Sequence, residues 1–266
     1  MDETIGRVAR GLLSAALGVA CAAAHGYGGL IILGAPPAEH DRIALGPGVV
    51  AFPEHAGSSE HKVWPIPAID YYSTLGGFVS TDIGVGWNFS PRADLQAGVR
   101  LWPQFGRDDS PPGLPGLPGV PDRLGKAAFA NYAPLRALLL QSSLMYGAGR
   151  DGDGLMAEIG ATSGLPIGDA LLAVTLGGSW ANRSYRQSFY GVGAADSVAS
   201  GLPEWNVGAG WQDVNLSLSL DVPLGDRWKL SGQLLGARLL GAAADSPITR
   251  SRTQSTLSLT LWYRFR

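Results

Sequence analysis

The chain has 266 residues, 45% of them hydrophobic and only 16% charged, with 38 glycines and eight tryptophans. The charged share lies below the roughly 25% usual for soluble domains, and low charge with abundant Gly and aromatics fits a membrane barrel. A formal net charge of -2 supplies no basic field for nucleic acid, and the only cysteine, Cys21, lies in an apolar leader, which leaves no thiol for disulfides or thiolate chemistry.

Residues 1–24 read as a signal peptide: Arg7 and Arg10 precede the apolar run Gly11 to Ala23, and Ala22-Ala23-Ala24 offers small residues for cleavage. Gly18 to Cys21 is only a weak lipoprotein box, and His25 with the following glycines argues against an uncleaved anchor. Residues 25–41 carry Gly and Pro36-Pro37 without periodicity and read as a flexible lead-in. No later run approaches the ~20 apolar residues of a spanning helix, so residues 42–266 would cross a membrane as strands.

Arg42 to Phe52 reads as a first strand and Pro53 to His61 as a polar loop. Lys62 to Tyr72 must be extended, because Pro65 and Pro67 cannot both sit in a helix; prolines this close suit an edge or a bulge. Phe78 to Phe89 is extended but interrupted at Gly84, and Asp94 to Leu101 alternates cleanly. Asp108 to Asp122 is rich in Pro and Gly and reads as a long external loop.

A hairpin around Ala133-Pro134, a polar loop at 147–154 and strands at 155–162 and 170–180 follow. Residues 181–206 are aperiodic and read as a second external loop. From Trp211 to Val222 the even positions are apolar and the odd ones polar, and the last strand alternates likewise to Tyr263 and Phe265. Two Pro-apolar-Gly-Asp turns, one with Pro166, Gly168 and Asp169 and one with Pro223, Gly225 and Asp226, stand between strands as candidate periplasmic turns.

Short turns and long loops thus alternate, the pattern of an all-β, transmembrane antiparallel β-barrel. The segments number about eleven, but bacterial barrels have even counts; splitting 78–89 at Gly84 gives about twelve strands, with about ten the alternative. The Leu face should meet lipid and the polar face the lumen. Tryptophans 64, 87, 102, 180, 211, 228 and 262 near strand ends suggest interfacial girdles. Arg100, Arg136, Arg238 and Arg264 fall within strands, and a lipid-facing charge at mid-depth costs ~2–4 kcal/mol, so the lumen or an interface is expected for them.

Reactive constellations are sparse. Glu54-His55 and Glu60-His61 share a loop and could gather a divalent metal, but no further ligands are apparent and a solvated polar loop is the better reading. Asp151-Gly152-Asp153-Gly154 lacks the later ligands of a calcium loop. Ser58 near His55 has no third orienting group, and no Gly-rich phosphate loop opens a helix. No enzyme, cofactor or metal site is expected.

Seven stretches stand in order along the chain: Pro53-Glu54-His55-Ala56-Gly57-Ser58, Trp64 to Tyr71, Gly86 to Ser90, Tyr190-Gly191-Val192, Pro223 to Trp228, Leu239 to Pro247 and Tyr263-Arg264-Phe265. Together they resemble the MipA/OmpV family of Gram-negative outer-membrane proteins. Two positions depart from its pattern: His55 replaces a Tyr, and Arg266 follows the usual terminal Phe. The resemblance implies an outer-membrane scaffold for murein hydrolase and synthase, with Leu261, Tyr263 and Phe265 as the strand read by the barrel assembly machinery. It also implies a shell of outer-membrane lipid. A narrow solute channel, or an adhesin acting through its long loops, is the alternative.

Overall fold

The computed structural model describes residues 40–135 and 137–265, so the leader, nearly all of the 25–41 lead-in, Arg136 and Arg266 lie outside the described residues. The described chain forms a closed barrel of twelve antiparallel strands, each paired with its sequence neighbours and the first with the last.

The strands are β1 (Arg42–Pro53), β2 (His61–Tyr72), β3 (Gly77–Ser80), β4 (Gly84–Asn88), β5 (Leu95–Gln104), β6 (Arg123–Leu135), β7 (Leu138–Ala148), β8 (Gly154–Ile167), β9 (Ala170–Ala181), β10 (Gly210–Leu224), β11 (Trp228–Leu239) and β12 (Thr253–Arg264). The expected break at Gly84 is present, and Gly84 has a φ of 89° there. Twelve strands, not ten, close the wall.

Period-two patterning places the side chains as expected in the last hairpins. On β10, Asn215 and Ser217 are buried inside while Val214, Leu216, Leu218 and Leu220 stand exposed outside. On β12, Leu257 and Leu259 face out and Gln254 and Thr260 face in. A charge-free outer band of this kind is what a bilayer solvates, whereas hydrogen-bonding side chains collect inside.

Three expectations need correction. Pro134 lies within β6 rather than in the turn; pairing with β7 becomes irregular between Tyr132 and Leu135, where a residue without N–H is tolerated, and the reversal follows Leu135. The 181–206 loop is not irregular throughout, since it holds α1 (Arg183–Tyr190) and α2 (Ala194–Ser200). Among the tryptophans, Trp87, Trp180, Trp211 and Trp228 lie on the outward face, but Trp64, Trp102 and Trp262 point inward.

Candidate functional site: lumen, cap and short-turn rim

The inner wall of the barrel is a set of paired polar side chains. Arg100 on β5 donates to the Ile83 carbonyl at 3.4 Å and to Ser143 Oγ at 3.2 Å, and its guanidinium lies 5.3 Å from the Trp102 ring centroid. Glu158 on β8 supplies the opposing charge. Burying a cation is tolerable only with such partners. Nearby, Thr162 and Thr175 hydroxyls are 2.7 Å apart, Ser179 Oγ donates to Asp213, and Asn215 Nδ2 donates to Asp213 Oδ1 at 2.9 Å.

Towards the short-turn end, Lys229 pairs with Asp221 at 2.9 Å and lies 5.9 Å from the Trp262 ring centroid. Arg264, on the inward register of β12, is exposed at this mouth. Arg238 corrects the expectation of a lumenal position: it follows Leu234 and Gly236 on the outward face, exposed near the long-loop end of β11. There a charge reaches the headgroup level, where its cost falls to ~0–1 kcal/mol.

The long-loop end is closed. Asn182 caps α1 by accepting from the Tyr185 N–H at 2.9 Å, which sets Tyr185 and Phe189 one turn apart on one face. Both rings, with Tyr190, are buried against Met145, Ala148, Met156, Ala181 and Leu239 from the strand tops and Ala56 from the β1–β2 loop. The short α3 (Gly241–Ala244) adds Ala243 and Ala244. An apolar layer therefore crosses the mouth.

The Pro/Gly loop locks over it, with Leu114 and Leu117 buried beside Val192 and Ile248. Arg107 donates to the Phe189 carbonyl at 3.0 Å and to the Pro118 carbonyl at 3.2 Å, and Trp205 Nε1 donates to the Ala242 carbonyl at 2.9 Å. Outside the cap a cavity of about 570 Å³ includes Arg150 and Arg183 in its lining, but Arg150 is already paired with Asp196 at 2.9 Å.

The side chains of the loop residues weighed for chemistry are engaged with other groups. His55 is buried with its ring Nδ1 3.0 Å from the Ala56 carbonyl, and burial holds its imidazole below the ordinary value. Ser58 Oγ accepts from the Glu60 N–H at 3.0 Å. Glu54 pairs with Lys62 at 3.2 Å, and His61 Nε2 lies 3.1 Å from Ser255 Oγ. Among the described residues no three His, Cys, Asp or Glu side chains converge on a metal position.

At the other end, the candidate turns are short. Pro166 and Pro223 are still paired within β8 and β10, and the chain reverses through Gly168 (φ 59°) with Asp169 and through Gly225 (φ 83°) with Asp226. Leu261, Tyr263 and Phe265 face outward at the same end. Tyr263 meets Trp228 and Phe265 edge-on, with both centroid distances 4.9 Å, and its hydroxyl accepts from Arg227 at 3.0 Å.

Residues 45–265, almost the whole barrel, match the family model described as MltA-interacting protein MipA. The chain belongs to the MipA family. Its similar MipA relatives include the MltA-interacting proteins of Escherichia coli (strain K12) and Shigella flexneri, each 25% identical over 235 residues, covering 84% of this chain and 90% of theirs.

Solved barrels similar to this MipA-family chain include the outer membrane channel DcaP of Acinetobacter baumannii (9% identity, 88% of this chain and 100% of that one, TM-score 0.39). The anion-selective porin from Comamonas acidovorans is another (10% identity, 85% and 98%, TM-score 0.36). No functional statement follows from likeness at that level.

Sequence reasoning did not single out Glu158, Asp213, Tyr185 or Phe189. Glu158 and Asp213 do sit on the inward register of their strands, and Asn182 with the 185/189 spacing is a capped-helix signal.

Proposed function

We propose that this chain is a non-catalytic outer-membrane scaffold whose periplasmic rim docks a murein-processing enzyme. Membership of the MipA family carries the proposal, because the relatives are named for interaction with MltA. The apolar cap separates it from a solute channel: polar side chains line the lumen, but one mouth is blocked. The short-turn rim is assigned to the periplasm and the long loops to the cell surface, as is usual for such barrels. Pro166, Gly168, Asp169, Pro223, Gly225 and Asp226 are then the docking candidates. Leu261, Tyr263 and Phe265 are the strand offered to the assembly machinery, after export through the leader. A shell of outer-membrane lipid surrounds the exposed Leu band.

Affinity capture of the tagged full chain from cross-linked outer membranes tests docking. Enrichment of a murein hydrolase or synthase, lost on Asp169→Arg with Asp226→Arg, is expected. Capture without any murein enzyme would overturn the scaffold role.

A further inference from the structure

The barrel wall is incomplete at one place. A strand needs about 9–11 residues to cross a bilayer, whereas β3 and β4 have four and five residues. Their hairpin rises from the short-turn rim and reverses at Thr81-Asp82-Ile83. β2 is matched to β3 only at Asp70, Tyr71 and Tyr72, and β5 to β4 only from Gly98 to Leu101. Above those pairs, residues 61–69 of β2 and 102–104 of β5 have no strand between them, in the half of the wall nearer the long loops.

The two edges are finished against pairing. N–H and C=O of one strand residue point to the same side, and the side alternates along the strand. Thr81 N–H donates to the Ile69 carbonyl and Ile69 N–H to Thr81 Oγ1, both at 2.8 Å, so the odd residues of β2 face the gap. The next two are Pro67 and Pro65. On β5 the Ala97 carbonyl accepts from Phe89 N–H at 2.8 Å, so odd residues again face that way, and Pro103 follows Leu101.

Three prolines thus stand where an N–H would point at nothing. Two of the carbonyls are accounted for by side chains: Thr81 Oγ1 lies 3.2 Å from the Pro67 oxygen and Gln104 Nε2 3.3 Å from the Pro103 oxygen. Proline on an open edge prevents strand addition, which excludes a partner polypeptide zipped into the gap.

The outward lining and the β2 side of the inner lining are apolar, whereas Arg100 and Gln104 stand on the β5 side. Val63 is 64% exposed on the outward face, continuous with the lipid-facing band. Behind the gap the inner wall changes from its usual Ser, Thr and Gln to a cluster of Val50, Phe52 and Ile66, with Trp64 edge-on to Phe52 at 5.2 Å. At the surface end Lys62 joins Glu54 at 3.2 Å and Asp108 at 3.4 Å, tying the Pro/Gly loop over the top. Access is left from the membrane side.

We infer that the β2–β5 seam is a lateral binding site for one acyl chain of an outer-leaflet lipid, held between the proline edges and against the exposed inward face of Trp64. A hydrocarbon chain makes no hydrogen bonds, so it suits edges from which three prolines have removed donors, and burying it gains about 0.8 kcal/mol per methylene. The site depends on the barrel spanning the membrane and is independent of the scaffold role.

The test uses the full barrel reconstituted in phosphatidylcholine vesicles carrying a diazirine on the acyl chain, irradiated and mapped by mass spectrometry. Adducts are expected on outward residues such as Leu218 and Leu259 and also on the inward Trp64. Ile66→Asn should lose the inward adducts while keeping the outward ones, with the barrel still shifting on unboiled gels. If Ile66→Asn does not fold, Val50→Thr, in the same inner cluster, serves for the same comparison. Adducts confined to outward residues of the unsubstituted barrel, as expected if the seam is shut or filled by a polypeptide, would overturn the inference.

Discussion

At the scale of single residues, one tight constraint lies where the barrel closes. A Cβ on Gly46 would stand 1.7 Å from the Leu261 carbonyl oxygen, so β1 approaches β12 only because that position has no side chain. Gly46→Val is expected to cost at least ~3 kcal/mol by overpacking and to abolish the compact band on unboiled gels. His55 makes a different prediction. Burial, aided by the positive charge of Arg107, holds its pKa below the ordinary 6.5, so the folded state favours neutral imidazole.

That contribution is complete above 6.5 and is lost as pH falls below it, because the unfolded loop takes up the proton first. Amide exchange over residues 54–60, corrected for intrinsic rate, should be faster at about pH 5.5 than at about pH 7.5. His55→Gln should remove the difference; an unchanged difference would trace it elsewhere.

At the scale of elements, strands were legible where one face is uniform. The alternation of β10 and β12 states both its period and its side, and the same parity, counted from Trp228, would have put Arg238 outside. The hairpin turn after β6 was less legible, since Pro134 is a turn former locally but is accepted by an irregular ladder. Pro65 and Pro67 announced an edge, yet no local pattern states that the neighbouring hairpin stops half-way.

The α1 helix escaped notice because eight residues hold barely two turns, and its ring-bearing face matters only once Met145 and Met156 are across from it. Phe189→Ala should therefore cost ~3–5 kcal/mol locally. Limited proteolysis is expected to cleave within 182–209 while the strands stay protected. Loss of the whole barrel instead would make α1 part of the folding core rather than a lid on it.

For the molecule as a whole, the closed outline followed from counting short and long connections, but the blocked mouth did not, because it needs side chains from α1, the Pro/Gly loop and several strands and loops at once. Planar-bilayer recordings of the full chain should show no conductance steps. Removing residues 183–206 should produce them, of small size because Arg100, Glu158 and their neighbours still crowd the interior. Steps from the intact chain would favour the channel alternative.

The pairing of β1 with β12 also sets a timetable. Ala44 meets Arg264, and Ala51 meets Leu257, across almost the full length of the barrel sequence. Contacts so distant in sequence form late and slowly. Until the final strand arrives, β1 presents a bare ladder of donors and acceptors beside an unfinished cylinder. A chain cut short anywhere in β12 would keep that exposed border permanently, so quality control needs to inspect only the last dozen residues to know whether the whole cylinder can shut.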